Sequence, residues 1–398
     1  MTTTTTAPEK VTPGKQCDAD RSLADLLIRT EMGTKTQVSH LPKRYMGLEA
    51  TELDERIEAA RKTLGDRLVI LGHHYQRDEI IQYADLRGDS FKLAKAAAAR
   101  PEAEFIVFCG VHFMAESTNI LSAEHQTTIL PNMSAGCSMA DMASTEDVLQ
   151  CWDDLQGVEG VAGKVMPATY MNSTAALKAF CGINGGLVCT SSNAQAVIRW
   201  ALDRREKVLF FPDQHLGRNT ARKMGYSVDD TLVWDPFQPL GGNSEDELRR
   251  ATFILWKGHC SVHKRFTVEQ VRQARERHPG INVMVHPECT MEVVDEADFD
   301  GSTEQIIKSV SEAPPGSKWA IGTEINLVNR LAHDHPDKLV YCLDPVICPC
   351  ATMYRIHPAY LAWVLEGLVE GNVVNQIKVD DEVAHWARVA LERMLATT

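Results

Sequence analysis

The sequence predicts an α/β protein made of three successive units of parallel sheet, and three observations lead there. Short apolar runs alternate with helical patterns along most of the 398 residues, which is the signature of βαβ units. The alternation returns three times, with related residue types at the strand ends. A chain of this length also exceeds what one hydrophobic core usually serves.

Residues 1–20 are rich in Thr, Pro and Lys and are expected to form a disordered tail. Residues 21–64 form a helical extension, in which 50–64 reads as an amphipathic helix with Leu53, Ile57, Ala60 and Leu64 on one face. The first unit, 65–145, has strands at Arg67–Leu71, Phe105–Phe108 and Thr127–Leu130, with helices from Phe91 and near Met114. The second, 146–265, has strands at Lys164–Met166, Gly186–Cys189 and Lys207–Phe211, with helices from Ala175 and Ala194. The third, 266–355, has a strand at Ile281–Val285, a helix over Ile306–Val310 and a closing strand at Lys338–Cys342. Residues 356–398 hold two packing helices, at 358–370 and 382–395. In each unit the first strand ends on an acid/base residue: His73, Tyr170 or His286. A cysteine follows the third strand: Cys137, Cys260 or Cys350.

The net charge of -13 argues against nucleic acid as a partner, since phosphate backbones need a basic surface. The start of the chain has no basic and apolar signal pattern. No stretch approaches the roughly 18 apolar residues of a membrane helix. The expectation is a cytoplasmic protein, where thiols stay reduced and the 11 cysteines are not a disulfide framework.

Chemistry is concentrated where strands end, because loops at the carboxyl ends of parallel strands face one crevice. Gly72-His-His-Tyr-Gln76 offers His73, a proton shuttle near neutral pH, and Tyr75, a partner for a developing enolate. Ser90, Thr174, Ser191, Ser192 and Thr303 stand where helices should begin, and each is also an ordinary cap. Val285-His-Pro-Glu-Cys289 supplies His286 and Glu288, a carboxylate whose pKa a closed crevice would raise. Cys260 lies beside His259 and His263 and ahead of Lys264 and Arg265, surroundings that favour a thiolate. Cys348-Pro-Cys350 is too tight for both thiols to ligate one iron comfortably. No C-x-x-C pair occurs, so spacing alone is weak evidence for metal.

Taken in order, Gly72-His-His-Tyr-Gln76, Gly88-Asp-Ser90, Phe108–Glu116, Ala135-Gly-Cys-Ser-Met-Ala140, Tyr170-Met-Asn-Ser173, Thr190–Ala194, Gly258–His263, His286–Cys289 and Cys348–Met353 resemble the quinolinate synthase family over most of the chain. No segment is diagnostic alone, but their joint order is specific. The resemblance implies three Rossmann-like units related by pseudo-threefold symmetry around a central active site. It also implies an oxygen-sensitive [4Fe–4S] cluster on Cys137, Cys260 and Cys350, with one iron open as a Lewis acid. Cys350 is preferred to Cys348 because the family's ligand stands three residues before a methionine, here Met353.

The implied reaction condenses iminoaspartate with dihydroxyacetone phosphate to quinolinate, releasing phosphate and two waters. The implied roles are proton transfer for His73 and Tyr75, and substrate holding for Tyr170 and Asn172. Ser90, Ser191 and Thr303 would bind phosphate or carboxylate oxygens, His263 and His286 would bind carboxylates, and Glu288 would be the general base. An aspartate oxidase or dehydrogenase would supply the imine. Two other readings stand beside this one: a zinc hydrolase on Cys260, His263 and His286, and a non-catalytic iron–sulfur oxygen sensor.

Overall fold

In the computed structural model, residues 13–397 are described, except 90, 91, 94, 95, 97–99, 347 and 348, and side chains are described from residue 22 onward. Three mainly parallel sheets carry the fold. The first contains β1 (Leu68–His73), β2 (Leu86–Gly88), β3 (Phe105–Cys109) and β4 (Thr127–Ile129) in the order 2-1-3-4. The second contains β5 (Val165–Tyr170), β6 (Leu187–Cys189), β7 (Lys207–Phe211), β8 (Thr231–Trp234) and β9 (Phe253–Trp256), in the order β6-β5-β7-β9-β8. The third contains β10 (Asn282–Val285), β11 (Phe299–Asp300), β12 (Lys318–Gly322) and β13 (Leu339–Cys342), in the order β11-β10-β12-β13. A two-residue strand, β14 (Gln376–Ile377), pairs antiparallel with β4 and completes the first sheet.

Each sheet therefore places its second strand outside its first, and its third on the other side. That reversal is a topological switch point, where loops after the first and third strands diverge and leave a crevice. Sequence patterning marks the first strands correctly, and β1 and β5 end on His73 and Tyr170 themselves. The helices Ala50–Leu64, Ala175–Ile183 and Ala194–Leu202 also begin where expected.

Three expectations change. A helix spans Pro13–Lys35, so the part of the supposed tail from residue 13 is helical, while 1–12 lie outside the described residues. In the second unit two further strands, β8 and β9, precede Cys260. In the third unit a further strand, β12, lies between β10 and the expected closing strand at Lys338–Cys342, which is the edge strand β13. Lys318-Trp-Ala-Ile-Gly322 offers only three consecutive apolar residues, and such a run does not identify itself by periodicity. The helix expected from Phe91 falls largely outside the described residues.

The C-terminal helices tie units together. Helix Asp381–Ala396 lies against Ala175–Ile183 so closely that a Cβ on Gly182 would meet the Trp386 carbonyl oxygen at 2.0 Å. Gly182→Val should cost about 1–3 kcal/mol through overpacking, read as a lowered urea midpoint. Helix Pro358–Val369 is tied to Ala50–Leu64 by Arg56, whose guanidinium donates to both Glu366 oxygens at 2.7 and 2.8 Å. Arg56 holds the Glu366 carboxyl below its usual range. A depressed carboxylate stabilises the fold above its unfolded pKa, near 4.5, and loses that contribution as pH falls through the folded value. Arg56→Met should thus cost about 1–3 kcal/mol at pH 7, with the gap to wild type closing in urea melts as the carboxyl protonates.

Candidate active site

The three crevices open onto one central cavity. His73, Tyr75, Tyr170, Asn172, Ser191, His263, His286, Glu288 and Thr303 line it, together with Cys137, Cys260 and Cys350. Ser90 and Cys348 lie outside the described residues. Asp89, Thr190, Met114 and Met353 also face the cavity, beyond the residues expected from sequence.

A chain of hydrogen bonds crosses the floor of this cavity. The Tyr170 hydroxyl donates to Glu288 Oε1 at 2.6 Å, and His263 Nδ1 lies 2.8 Å from Glu288 Oε2. His263 Nε2 is 3.0 Å from Thr323 Oγ1, which is 2.9 Å from the Tyr75 hydroxyl, itself 2.9 Å from Thr303 Oγ1. With Glu288 ionised, His263 carries its proton on Nδ1 and donates to the carboxylate. Nε2 then accepts from Thr323, and Thr323 accepts from Tyr75. Both nitrogens of His263 are thereby engaged within the protein.

His73 and His286 have a different geometry. His73 Nδ1 accepts the Tyr75 N–H at 3.1 Å, and His286 Nδ1 accepts the Glu288 N–H at 3.3 Å. The same two-residue turn follows the first strand in two units. Burial depresses both imidazoles, each to about 3. Each is therefore neutral at physiological pH, with its proton on Nε2. His73 does not titrate near neutrality as the sequence suggests, because burial, with the neighbouring His74 adding to it, outweighs the opposing charge of Glu304. His286 stacks on His263 at 4.3 Å between ring centroids.

Glu288 also departs from expectation. Burial pushes its carboxyl up, but the two donors it meets, the His263 ring N–H and the Tyr170 hydroxyl, outweigh that and hold it below the usual range. A buried carboxylate with two donors behaves this way. Burial raises the Cys260 thiol well above its ordinary value, the neighbouring Glu288 charge adding to it. Lys264 and Arg265, expected to favour its thiolate, are exposed, and Arg265 pairs with Asp344 at 3.0 Å.

The donor set suits a metal group. Cys137, Cys260 and Cys350 are only partly buried, open to the same cavity, and no disulfide forms among the described cysteines. The Cys137 thiol feels Cys350 and Glu288, and the Cys260 thiol feels Glu288, Cys137 and Cys350. The expected zinc set does not assemble as written: the atoms within 4.8 Å of one another belong to Cys260, His263 and Glu288, without His286.

The family model described as NadA, quinolinate synthetase A protein, matches residues 55–396. The chain belongs to the quinolinate synthase family. A quinolinate synthase from Corynebacterium glutamicum is 60% identical over 356 residues, covering 89% of this chain and 90% of the relative. Those from Nocardioides and Streptomyces coelicolor are 59% and 58% identical, covering 86% and 87% of this chain and 89% and 88% of the relatives. Members of the quinolinate synthase family are enzymes, and the three-sheet α/β architecture described above fits the family's repeated Rossmann-like units. Among the described residues no helix is long and apolar enough to cross a membrane.

Two residues at the centre went unnoticed in the sequence. Thr323 joins His263 to Tyr75, and Glu324 holds the Cys350 amide. Both follow β12, the strand whose signal was too short to read.

Proposed function

We propose that this protein condenses iminoaspartate with dihydroxyacetone phosphate to quinolinate, releasing phosphate and two waters, in the central cavity. The observation that carries the reading is the convergence of three cysteines and the Tyr170–Glu288–His263–Thr323–Tyr75–Thr303 chain on one cavity. Cys137, Cys260 and Cys350 would hold a [4Fe–4S] cluster, which when bound supplies an iron with an open position that acts as a Lewis acid.

The protein's own groups do the rest. Glu288 is the general base, its charge kept ready by Tyr170 and His263. His263 passes protons between Glu288 and Thr323, and Tyr75 extends the path to Thr303. This role takes precedence over carboxylate binding by His263, since both its nitrogens are already used. His73 and His286 offer Nε2–H to substrate oxygens: His73 to the oxygen of a developing enolate, His286 to a carboxylate. A neutral imidazole can do this without giving up its proton. Tyr170 and Asn172 hold the substrate. Ser191, Ser90 and the amide end of the helix Thr303–Glu312 receive phosphate or carboxylate oxygens.

The protein would work in the cytoplasm on small anionic substrates, supplied with imine by an oxidase or dehydrogenase acting on aspartate. Neither nucleic acid nor membrane enters this scheme. The test is direct. Protein purified without oxygen, given iminoaspartate and dihydroxyacetone phosphate, should release quinolinate and phosphate in equal amounts. Release of neither by iron-loaded protein would overturn the reading.

A further inference from the structure

The third strand of each sheet runs into a helix, and the residue that caps that helix differs among the units. β3 leads to His112–Leu121, capped at Val111; β7 leads to Gln214–Lys223, capped at Asp213; β12 leads to Ile325–Asp334, capped at Glu324. Asp213 and Glu324 are both fully buried. Asp213 Oδ1 accepts the Leu216 N–H at 2.8 Å, as a cap should, while Oδ2 accepts the Cys260 N–H at 3.2 Å. Glu324 Oε2 accepts the Asn326 and Leu327 N–H groups at 2.8 and 3.4 Å, while Oε1 accepts the Cys350 N–H at 3.2 Å and the Asn326 side-chain amide at 2.9 Å.

Capping alone does not call for a buried carboxylate. A neutral hydroxyl caps as well and avoids desolvating a charge, and this chain uses Ser144, Thr174, Ser244, Thr267 and Ser302 that way. What a carboxylate adds is a second acceptor oxygen, and in both places that oxygen goes to a cysteine amide. The first unit lacks the device. Its loop is held instead by the His112 N–H on the Ala135 carbonyl at 2.8 Å and by Arg355 on the Ser134 carbonyl at 2.6 Å.

We propose that Asp213 and Glu324 are matched positioning residues, each clamping a helix start with one oxygen and a cluster-bearing cysteine loop with the other. The inference rests on the reading of Cys137, Cys260 and Cys350 as cluster ligands. An amide analogue has one acceptor oxygen, so Asp213→Asn and Glu324→Gln each set an NH2 group against a backbone N–H and release one of the two clamps.

The test reconstitutes each variant anaerobically with iron and sulfide, then follows loss of visible absorbance under an iron chelator. Circular dichroism and elution volume check the fold, and the electron paramagnetic resonance spectrum of the reduced cluster reports its surroundings. Asp213→Asn and Glu324→Gln should fold as wild type, lose iron at least fivefold faster and show an altered spectrum. Asp380→Asn, which changes the cap of helix Asp381–Ala396, where the side chain accepts from the Glu382 N–H, should behave as wild type. Should asparagine at 213 prevent folding, Asp213→Glu, which keeps the carboxyl group but displaces its oxygens, is read the same way. Iron loss at the wild-type rate in the 213 and 324 variants, while Cys260→Ala and Cys350→Ala fail to load, overturns this inference and leaves the cluster reading standing. Equal acceleration by Asp380→Asn overturns it as well, as an effect of global stability. Full loading of both cysteine variants removes the cluster reading and this inference together.

Discussion

Glu288→Gln should lower kcat by a factor on the order of 10²–10⁴ while leaving iron, sulfide and visible absorbance at wild-type values. The side chain is 3% exposed and has its shape matched by glutamine, so the fold has no reason to move. Two things change. The base is gone, because an amide does not take up a proton near neutrality. The direction of the hydrogen-bond chain also reverses. Glutamine can still accept from Tyr170 through its oxygen, but it must turn its NH2 group toward His263 Nδ1. That nitrogen then has to accept, the imidazole proton moves to Nε2, and Thr323 becomes an acceptor there rather than a donor. Tyr75 must then find a new arrangement with Thr303 and Thr323. The measurement is steady-state quinolinate formation alongside metal analysis on the same sample. Activity within tenfold of wild type, at equal iron, would remove Glu288 from the base role.

Changing Cys137, Cys260 or Cys350 to Ala should each abolish activity and bring iron and sulfide down from about four of each per chain. The same change at Cys109, Cys181 or Cys189 should leave metal content intact. Those three are fully buried, and burial pushes their thiols up, Cys109 to about 12. They behave as small apolar side chains, so their loss is felt as packing. The three cavity cysteines are half-open to the space they would share with the cluster. Cys348→Ala should keep its iron, which separates the two thiols of the Cys348-Pro-Cys350 segment. Iron and sulfide measured on anaerobically purified variants decide the matter, and any cavity-cysteine variant that retains a full complement is not a ligand position.

Much of the site is legible in the sequence because it sits at the ends of first strands. Arg67-Leu-Val-Ile-Leu71 and Ile281-Asn-Val-Met-Val285 are strong strand signals, and the residues just past them, His73, His286 and Glu288, meet Tyr170 in the cavity. Third strands are harder. Trp319-Ala-Ile321 is too short to call a strand by pattern, so Thr323 and Glu324 had no strand end to mark them. Asp213 was hidden for another reason. Phe211-Pro-Asp213 reads as a strand end with a cap, and nothing in one sequence says that the second carboxylate oxygen reaches Cys260, 47 residues on. Protonation was the least legible property. A carboxylate in a closed crevice can go either way, and the outcome for Glu288 turned on two donors contributed from residues 25 and 118 positions away.

The antiparallel strand β14 has a bearing on how the protein comes into being. It supplies the edge of the first sheet from near the end of the chain, beside β4. During synthesis, the unit that emerges first therefore waits for its last strand until nearly everything else has been made, roughly 10–50 s at ordinary elongation rates. Tyr75 waits as long for Thr303 and Thr323. The central chamber is thus a late product of folding, complete only after the third unit has been made.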